Sequence, residues 1–260
     1  MGLASAFIAN YLADVLPETR KLSQPVCLHC GSHFFWQDYF LLRRCKQCNA
    51  PRRIRAWLVI FFSIILNLYF WSAPPRIGFW LGWIVLLYFT IVFVIDLEHR
   101  LILHPTSVVG AILGIGTGLY RETLQGGPEA LKTTLLGGLA GFTIVFLFYL
   151  FGVLFTKMRA RRMRAQGIEP DDEDAFGAGD VILATILGFM LGWPVIWFGI
   201  IFGVLLGGVV SLLIMLVLFL TRRYKDSAWM VFIPFGPFFL VSAFLILYLP
   251  DVARFFTFQN

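Results

Sequence analysis

Apolar runs of bilayer length recur through most of the chain, and they limit its fold more than any other feature. A spanning helix needs about 20 predominantly apolar residues. Runs near 56–73, 77–95, 105–120, 131–155, 180–198, 199–220 and 229–249 meet or approach that length. Pro74-Pro75, Pro128 and Pro170 fall between runs, where chain breakers belong. Gly192-Trp193-Pro194 is the expected turn between the two runs that touch. An eighth segment, 1–16, is short for a span and carries Asn10 and Asp14. Hydrophobic residues make up 59% of the chain and charged ones only 14%, against about 25% charged in a soluble domain. That much apolar surface does not fit inside one soluble core, but it can face lipid. The expectation is an all-α polytopic membrane protein, a bundle of seven to eight transmembrane helices. Its parts would be a first transmembrane segment at 1–16, a polar module at 17–55, a transmembrane core at 56–250 and a C-terminal tail at 251–260. Residues 1–16 lack a basic n-region and a small-residue cleavage site, so no cleavable signal peptide is expected.

Charge sets the expected orientation. The net charge of +6 could suit nucleic acid or an anionic membrane surface. In a chain this apolar it points to the lipid bilayer and to no nucleic acid. Cytoplasmic loops collect Lys and Arg. Segment 20–55 holds eight basic residues, 157–164 five and 222–225 three, and Arg100 joins them, so 17 of 21 fall on one face. The opposite face keeps Arg76, Arg121, Lys132 and Arg254. The module at 17–55 is then cytoplasmic, as are the loops at 96–104, 156–179 and 221–228.

That topology brings two acids to one membrane depth. Asp96 ends a span on the cytoplasmic side, and Asp180 begins another there. An ionisable group at the edge of hydrocarbon is costly and marks a functional site by default, although a solvated interfacial acid is the plain alternative. Glu98, His99 and Arg100 read as solvated loop residues. Asp180 closes Phe176-Gly177-Ala178-Gly179-Asp180. Gly177 and Gly179 allow a tight turn and leave open space beside the carboxylate; a helix-starting Asp favoured by the dipole is the plainer reading. Two carboxylates that share a site cannot both ionise easily, and such a pair can activate water and protonate a leaving amine.

A second constellation lies in the polar module. Cys27-x2-Cys30 is followed after 14 residues by Cys45-x2-Cys48. Two such knuckles supply four thiolates for one tetrahedral zinc, with no open coordination position, which makes the role structural. The expected appendage is therefore a small cytoplasmic zinc-binding loop domain. His29 and His33 read as surface residues. Other features read as architecture. Gly199, Gly203 and Gly207 line one helix face and suit close helix packing. Gly114, Gly116 and Gly118 lie within a span, so they do not form a dinucleotide loop. Ile233-Pro234-Phe235-Gly236-Pro237 should break or kink the last span. Asp171, Asp172, Glu173 and Asp174 form an acidic loop patch.

These residues resemble a known family. Asp96-Leu97-Glu98-His99-Arg100 with Pro105, then Phe176 to Val181 with Leu183 and Gly188, then Pro234-Phe235-Gly236-Pro237, look like the bacterial prepilin peptidases. The paired cysteine knuckles look like that family's zinc-binding cytoplasmic domain. The resemblance implies a GxGD-type intramembrane aspartyl protease of the bacterial inner membrane. Such an enzyme cleaves the basic leader from type IV prepilins or type II secretion pseudopilins at the cytoplasmic face. It implies Asp96 and Asp180 as the catalytic dyad, and Cys27, Cys30, Cys45 and Cys48 as zinc ligands. Gly177, Gly179, Pro234, Gly236 and Pro237 would be supporting motif positions. Many members then methylate the new N-terminus with S-adenosylmethionine. Two departures bear on that second activity. Near the N-terminus Ala6, Phe7 and Val15 replace a glycine, a serine and an arginine. After Cys48 the chain reads Arg55-Ala56-Trp57-Leu58-Val59-Ile60, without the family's Tyr-Pro and glutamate. Peptidase chemistry is thus better supported than methylation. The competing expectation is a proton-coupled membrane transporter with a zinc-binding cytoplasmic domain. It would call for internal repeats with broken helices at matching positions, and no convincing repeat is visible.

Overall fold

The computed structural model describes residues 1–72, 77–124, 129–165, 177–221 and 234–249. Pro74-Pro75, Arg76, Pro128, Pro170, the acidic patch at 171–174, Phe176, the basic residues at 222–225, Ile233, Arg254 and the tail at 251–260 lie outside the described residues. Nine helices are present among the described residues: α1 (Gly2–Thr19), α2 (Trp36–Phe40), α3 (Ile54–Ser72), α4 (Phe79–His99), α5 (His104–Leu124), α6 (Ala130–Ala165), α7 (Ala178–Leu191), α8 (Val195–Leu220) and α9 (Gly236–Tyr248). No strand forms among them beyond one isolated bridge between Val26 and His33. The described residues are all-helical, and among them four helices are long and apolar enough to cross a membrane: Ile54–Ser72, Phe79–His99, Ala130–Arg162 and Val195–Leu220. The helices α7 and α9 are apolar but shorter. The expectation of seven to eight spans is met only at this coarser level.

The chain forms two compact units, Met1–Thr106 and Ser107–Asn260. In the first, α1 packs on both α3 and α4. The seam on α1 is made of small residues: Ala6, Ala9 and Ala13 are all fully buried against Val59, Ile91, Val94 and Ile95. Alanine at this spacing lets helix backbones approach closely where lipid provides no hydrophobic drive between helices. Asn10, expected to be a liability in a span, donates from Nδ2 to the Ala56 carbonyl at 3.2 Å. Trp83 Nε1 donates to Ser5 Oγ at 2.8 Å. Both bonds engage side-chain N–H donors that would be costly to leave unpaired, while Asn10 Oδ1 stays buried without a hydrogen-bond partner.

In the second unit, α6 and α7 make the most extensive helix pairing. Glycine is the reason. A Cβ on Gly137 would come within 2.4 Å of the Gly188 carbonyl oxygen, and one on Gly141 within 2.3 Å of the Ala184 carbonyl oxygen. Gly188→Ala is expected to force these backbones apart. Overpacking a tight contact costs about 1–3 kcal/mol, and thermal unfolding of the variant in detergent reads the loss. The helix α7 ends at Leu191, Gly192 adopts φ 67, and α8 begins at Val195. The expected turn at Gly192-Trp193-Pro194 is therefore in place. Gly203 and Gly207 of α8 face Phe239, Phe235 and Phe238 around the start of α9. Ser242 Oγ donates to the Gly199 carbonyl at 2.7 Å. The glycine stripe thus serves packing, as its spacing predicts. Where a break or kink was expected, α9 begins at Gly236 with Pro237 in its first turn, where a fixed φ and a missing N–H are tolerated.

Candidate active site and metal centre

The cysteine module is built from two matching turns. In the first, Cys27 N donates to Ser32 O at 2.8 Å and Gly31 N to Cys27 O at 2.8 Å. In the second, Cys45 N donates to Ala50 O at 3.1 Å and Asn49 N to Cys45 O at 2.9 Å. Each turn needs one residue in the left-handed region, supplied by Gly31 (φ 72) and Asn49 (φ 55). Glycine and asparagine are the residues that reach it most cheaply. The four sulfurs lie within 4.8 Å of one another, with Cys27 Sγ 3.7 Å from Cys48 Sγ and Cys30 Sγ 3.6 Å from Cys45 Sγ. A tetrahedral ion with metal–sulfur bonds of about 2.3 Å requires sulfur separations of about 3.8 Å. The four cysteines can therefore hold a metal ion.

The thiols' electrostatics fit that donor set. Contact with the Ser32 hydroxyl, followed by the Cys48 and Gln47 backbone amides, pulls Cys45 down to about 6. Ser32 also lowers Cys30. Cys48 moves the other way: the Ala50 amide lowers it, yet burial and the surrounding sulfurs together push it up to about 12. Four thiolates at these separations need a cation to coexist. His29 and His33 are exposed, as expected of surface residues.

An ion-pair network ties this module to the helices of its unit. Asp14 of α1 accepts hydrogen bonds from Tyr39 Oη (2.5 Å), Arg52 (3.2 Å) and Arg55. Arg55, at the start of α3, also reaches Glu98 of α4 at 2.6 Å, and Arg53 lies 3.5 Å from Glu98. The Arg52 guanidinium stacks over Tyr39 at 4.2 Å and Phe34 at 5.2 Å. Burial, then the charge of Asp14, raises the Tyr39 phenol above its usual range. Glu98 and His99 were expected in a solvated loop; they are the last residues of α4, and the Glu98 side chain is only 21% exposed. Its desolvation is offset by the arginines. Sequence reading missed this network because its members are up to 84 positions apart. Arg55→Ala would leave Glu98 with Arg53 and Asp14 with Arg52. The network is only partly buried and each acid keeps a second arginine, so losing these charge-assisted hydrogen bonds costs about 1.5–3 kcal/mol, and a lowered melting temperature of the full chain in detergent is the expected result.

Each aspartate is placed within its own unit. Asp96 lies in the last turns of α4 and is 4% exposed. Arg100, in the left-handed conformation with φ 53, ends the helix and donates its N–H to the Asp96 carbonyl at 2.9 Å. Asp180 is partly buried in the first turn of α7. The backbone amides of Gly177 and Gly236 lie near enough to act on its carboxylate. Two helix starts, those of α7 and α9, therefore converge on one carboxylate. The sequence motif Pro-Phe-Gly-Pro acquires a physical role here, since Gly236 offers Asp180 an amide from more than 50 residues downstream. Gly177 has an ordinary φ of −81, and a Cβ there would come no nearer than 3.9 Å to Asp180 Oδ2. Neither a positive φ nor a close contact therefore requires glycine at 177. Val181 and Leu183 are buried in the core of α7, and Gly188 makes the close α6 contact.

A family profile described as the type IV leader peptidase family matches residues 83–212, half of the chain. That stretch contains both aspartates and runs from α4 into α8; the cysteine module lies outside it. No curated protein and no solved structure matches the chain. The chain belongs to the type IV leader peptidase family. It is accordingly a membrane-embedded peptidase, a hydrolase of the prepilin peptidase type.

Proposed function

We propose that the protein is an intramembrane aspartyl endopeptidase with Asp96 and Asp180 as its catalytic pair. Its substrates would be type IV prepilins or type II secretion pseudopilins, cut between a basic leader and the hydrophobic helix that follows. The observation that carries this reading is the family match over a stretch holding both acids, each at the end of an apolar helix. Leader peptidases of this kind cut where a helix emerges from lipid, and water reaches carboxylates at helix ends most easily. One carboxylate, ionised, takes a proton from water as it attacks the scissile carbonyl. The other, protonated, polarises that carbonyl and then protonates the leaving amine. The clustering of 17 of 21 basic residues on one side supports cleavage at the cytoplasmic face of the inner membrane.

Cys27, Cys30, Cys45 and Cys48 would hold a structural zinc, given four sulfurs close enough together to ligate one tetrahedral ion. N-methylation is left out of the proposal, because the Tyr-Pro and glutamate after Arg55 are missing. Mass spectrometry of the N-terminus of a co-expressed prepilin tests both activities together. A mature N-terminus without added methyl is the expected product. An intact leader in the presence of correctly inserted enzyme refutes the proposal.

A further inference from the structure

The cysteine module is folded down along α1 rather than held away from the helices of its unit. The bond from Asn10 Nδ2 to the Ala56 carbonyl sets Asn10 level with the third residue of α3. At the other end of α1, Gly2 touches Ile64 and Ser63, in the middle of the α3 span. Along this scale the aromatic residues of α2 sit low. Trp36 packs on Tyr11 with ring centroids 5.4 Å apart, and Phe40 packs edge-on to Phe7 at 5.7 Å. A helix rises about 1.5 Å per residue, so Phe7, against which Phe40 packs, lies about 7 Å inward from the polar end of α3. Interfacial helices bury their apolar faces to a similar depth, about 5–10 Å into the headgroup and acyl boundary.

The side chains around α2 match that environment. Phe35 is 73% exposed, Leu41 63% and Trp36 42%. Arg43, Arg44 and Lys46 follow immediately and are exposed. Asp38, the one acid between residues 20 and 55, is already engaged by Lys46 at 2.5 Å and Arg43 at 3.5 Å. The Lys46 ammonium lies over the Phe35 ring, 5.3 Å from its centroid. The outward balance of this edge is thus aromatic and positive, the pairing found where protein meets lipid headgroups.

We infer that this edge of the module is a docking surface for acidic lipid: Phe35, Trp36 and Leu41 enter the acyl boundary, and Arg43, Arg44 and Lys46 meet lipid phosphates. Continuity with α1 and α3, and the charge of the edge, favour lipid over a second copy of the chain, whose same edge would be equally positive. The module is then held on the bilayer by its own surface as well as by the Asp14–Arg55–Glu98 network. This inference does not depend on the identity of the catalytic pair.

The test uses the full chain with p-benzoylphenylalanine in place of Phe35, reconstituted in vesicles of phosphatidylglycerol and phosphatidylcholine, irradiated and read by intact mass. The same label in place of Leu41 provides an independent variant, and metal content shows that the module has folded in each. A lipid adduct is expected at both positions, as at the exposed α3 residue Phe62 used as the lipid-facing control. Gln47, exposed on the second cysteine turn, should give none. Each Arg→Glu change at Arg43 or Arg44 should lower the yield about fivefold or more, since one basic residue near an acidic surface is worth about that factor. Adducts at Phe62 with none at 35 or 41 would overturn the inference. Protein–protein crosslinks at those positions would assign the edge to a second copy and overturn it too. Equal yields in pure phosphatidylcholine would overturn the choice of acidic lipid.

Discussion

Asp96→Asn and Asp180→Asn are each expected to abolish leader cleavage while leaving the protein inserted and folded. A positioned general acid or base contributes about 10²–10⁴-fold, and here each carboxylate would serve one of the two proton transfers that a single hydrolysis needs. Asn keeps the size and one acceptor but can neither take nor give a proton. The loss should therefore fall on kcat, with little change in the KM for a prepilin. Asp180→Asn should also retain an acceptor for the Gly177 and Gly236 amides, so the starts of α7 and α9 remain together. Cleavage in proteoliposomes, with circular dichroism as the folding control, decides the matter. Normal turnover by either variant would dismiss the aspartyl mechanism.

Cys45→Ser is expected to dismantle the module without removing the spans. Structural zinc sites supply folding free energy directly, and small metal modules without their ion are unfolded. The core beside the cysteines is small: Cys27, Phe34, Tyr39 and Cys45, with Tyr11 and Phe40 against it. Too little apolar area is buried there to replace the metal. Metal content should fall from about one ion per chain to about none, and Cys27, buried in the folded protein, should become open to maleimide. The apolar spans α3 and α4 are held by lipid and by α1, so helix content should change little. A Cys45→Ser protein that retains one bound metal and a protected Cys27 would show that the four cysteines do not act as one site.

Much of this was legible from spacing alone. The cysteine pairs announced themselves because a tetrahedral ion needs four soft ligands on two short turns, and C-x2-C supplies two per turn. The turn at Gly192-Trp193-Pro194 was legible because a glycine and a proline two residues apart both weaken a helix there. The Gly199, Gly203 and Gly207 stripe was legible because i, i+4 spacing puts small residues on one face. What spacing could not provide was any pairing between distant polar residues. Asn10 and Asp14 stand in a segment short for a span; the Asn10 amide nitrogen bonds the Ala56 carbonyl, and Asp14 accepts from Tyr39, Arg52 and Arg55. Glu98 looked like a loop residue; it closes an ion-pair network at the end of α4.

The sequence by itself determined that this chain lives in lipid, that its cysteines gather in one module, and that two acids stand at the ends of apolar helices. Those are consequences of composition and period, which are local properties of a chain. Only the tertiary structure decided that Arg55 joins α1 to α4, that the Gly236 amide faces Asp180, and that α2 lies low along α1. Those contacts join residues dozens of positions apart. They exist because helix packing, set by alanine and glycine seams, brings together polar groups that would be too costly to leave unpaired.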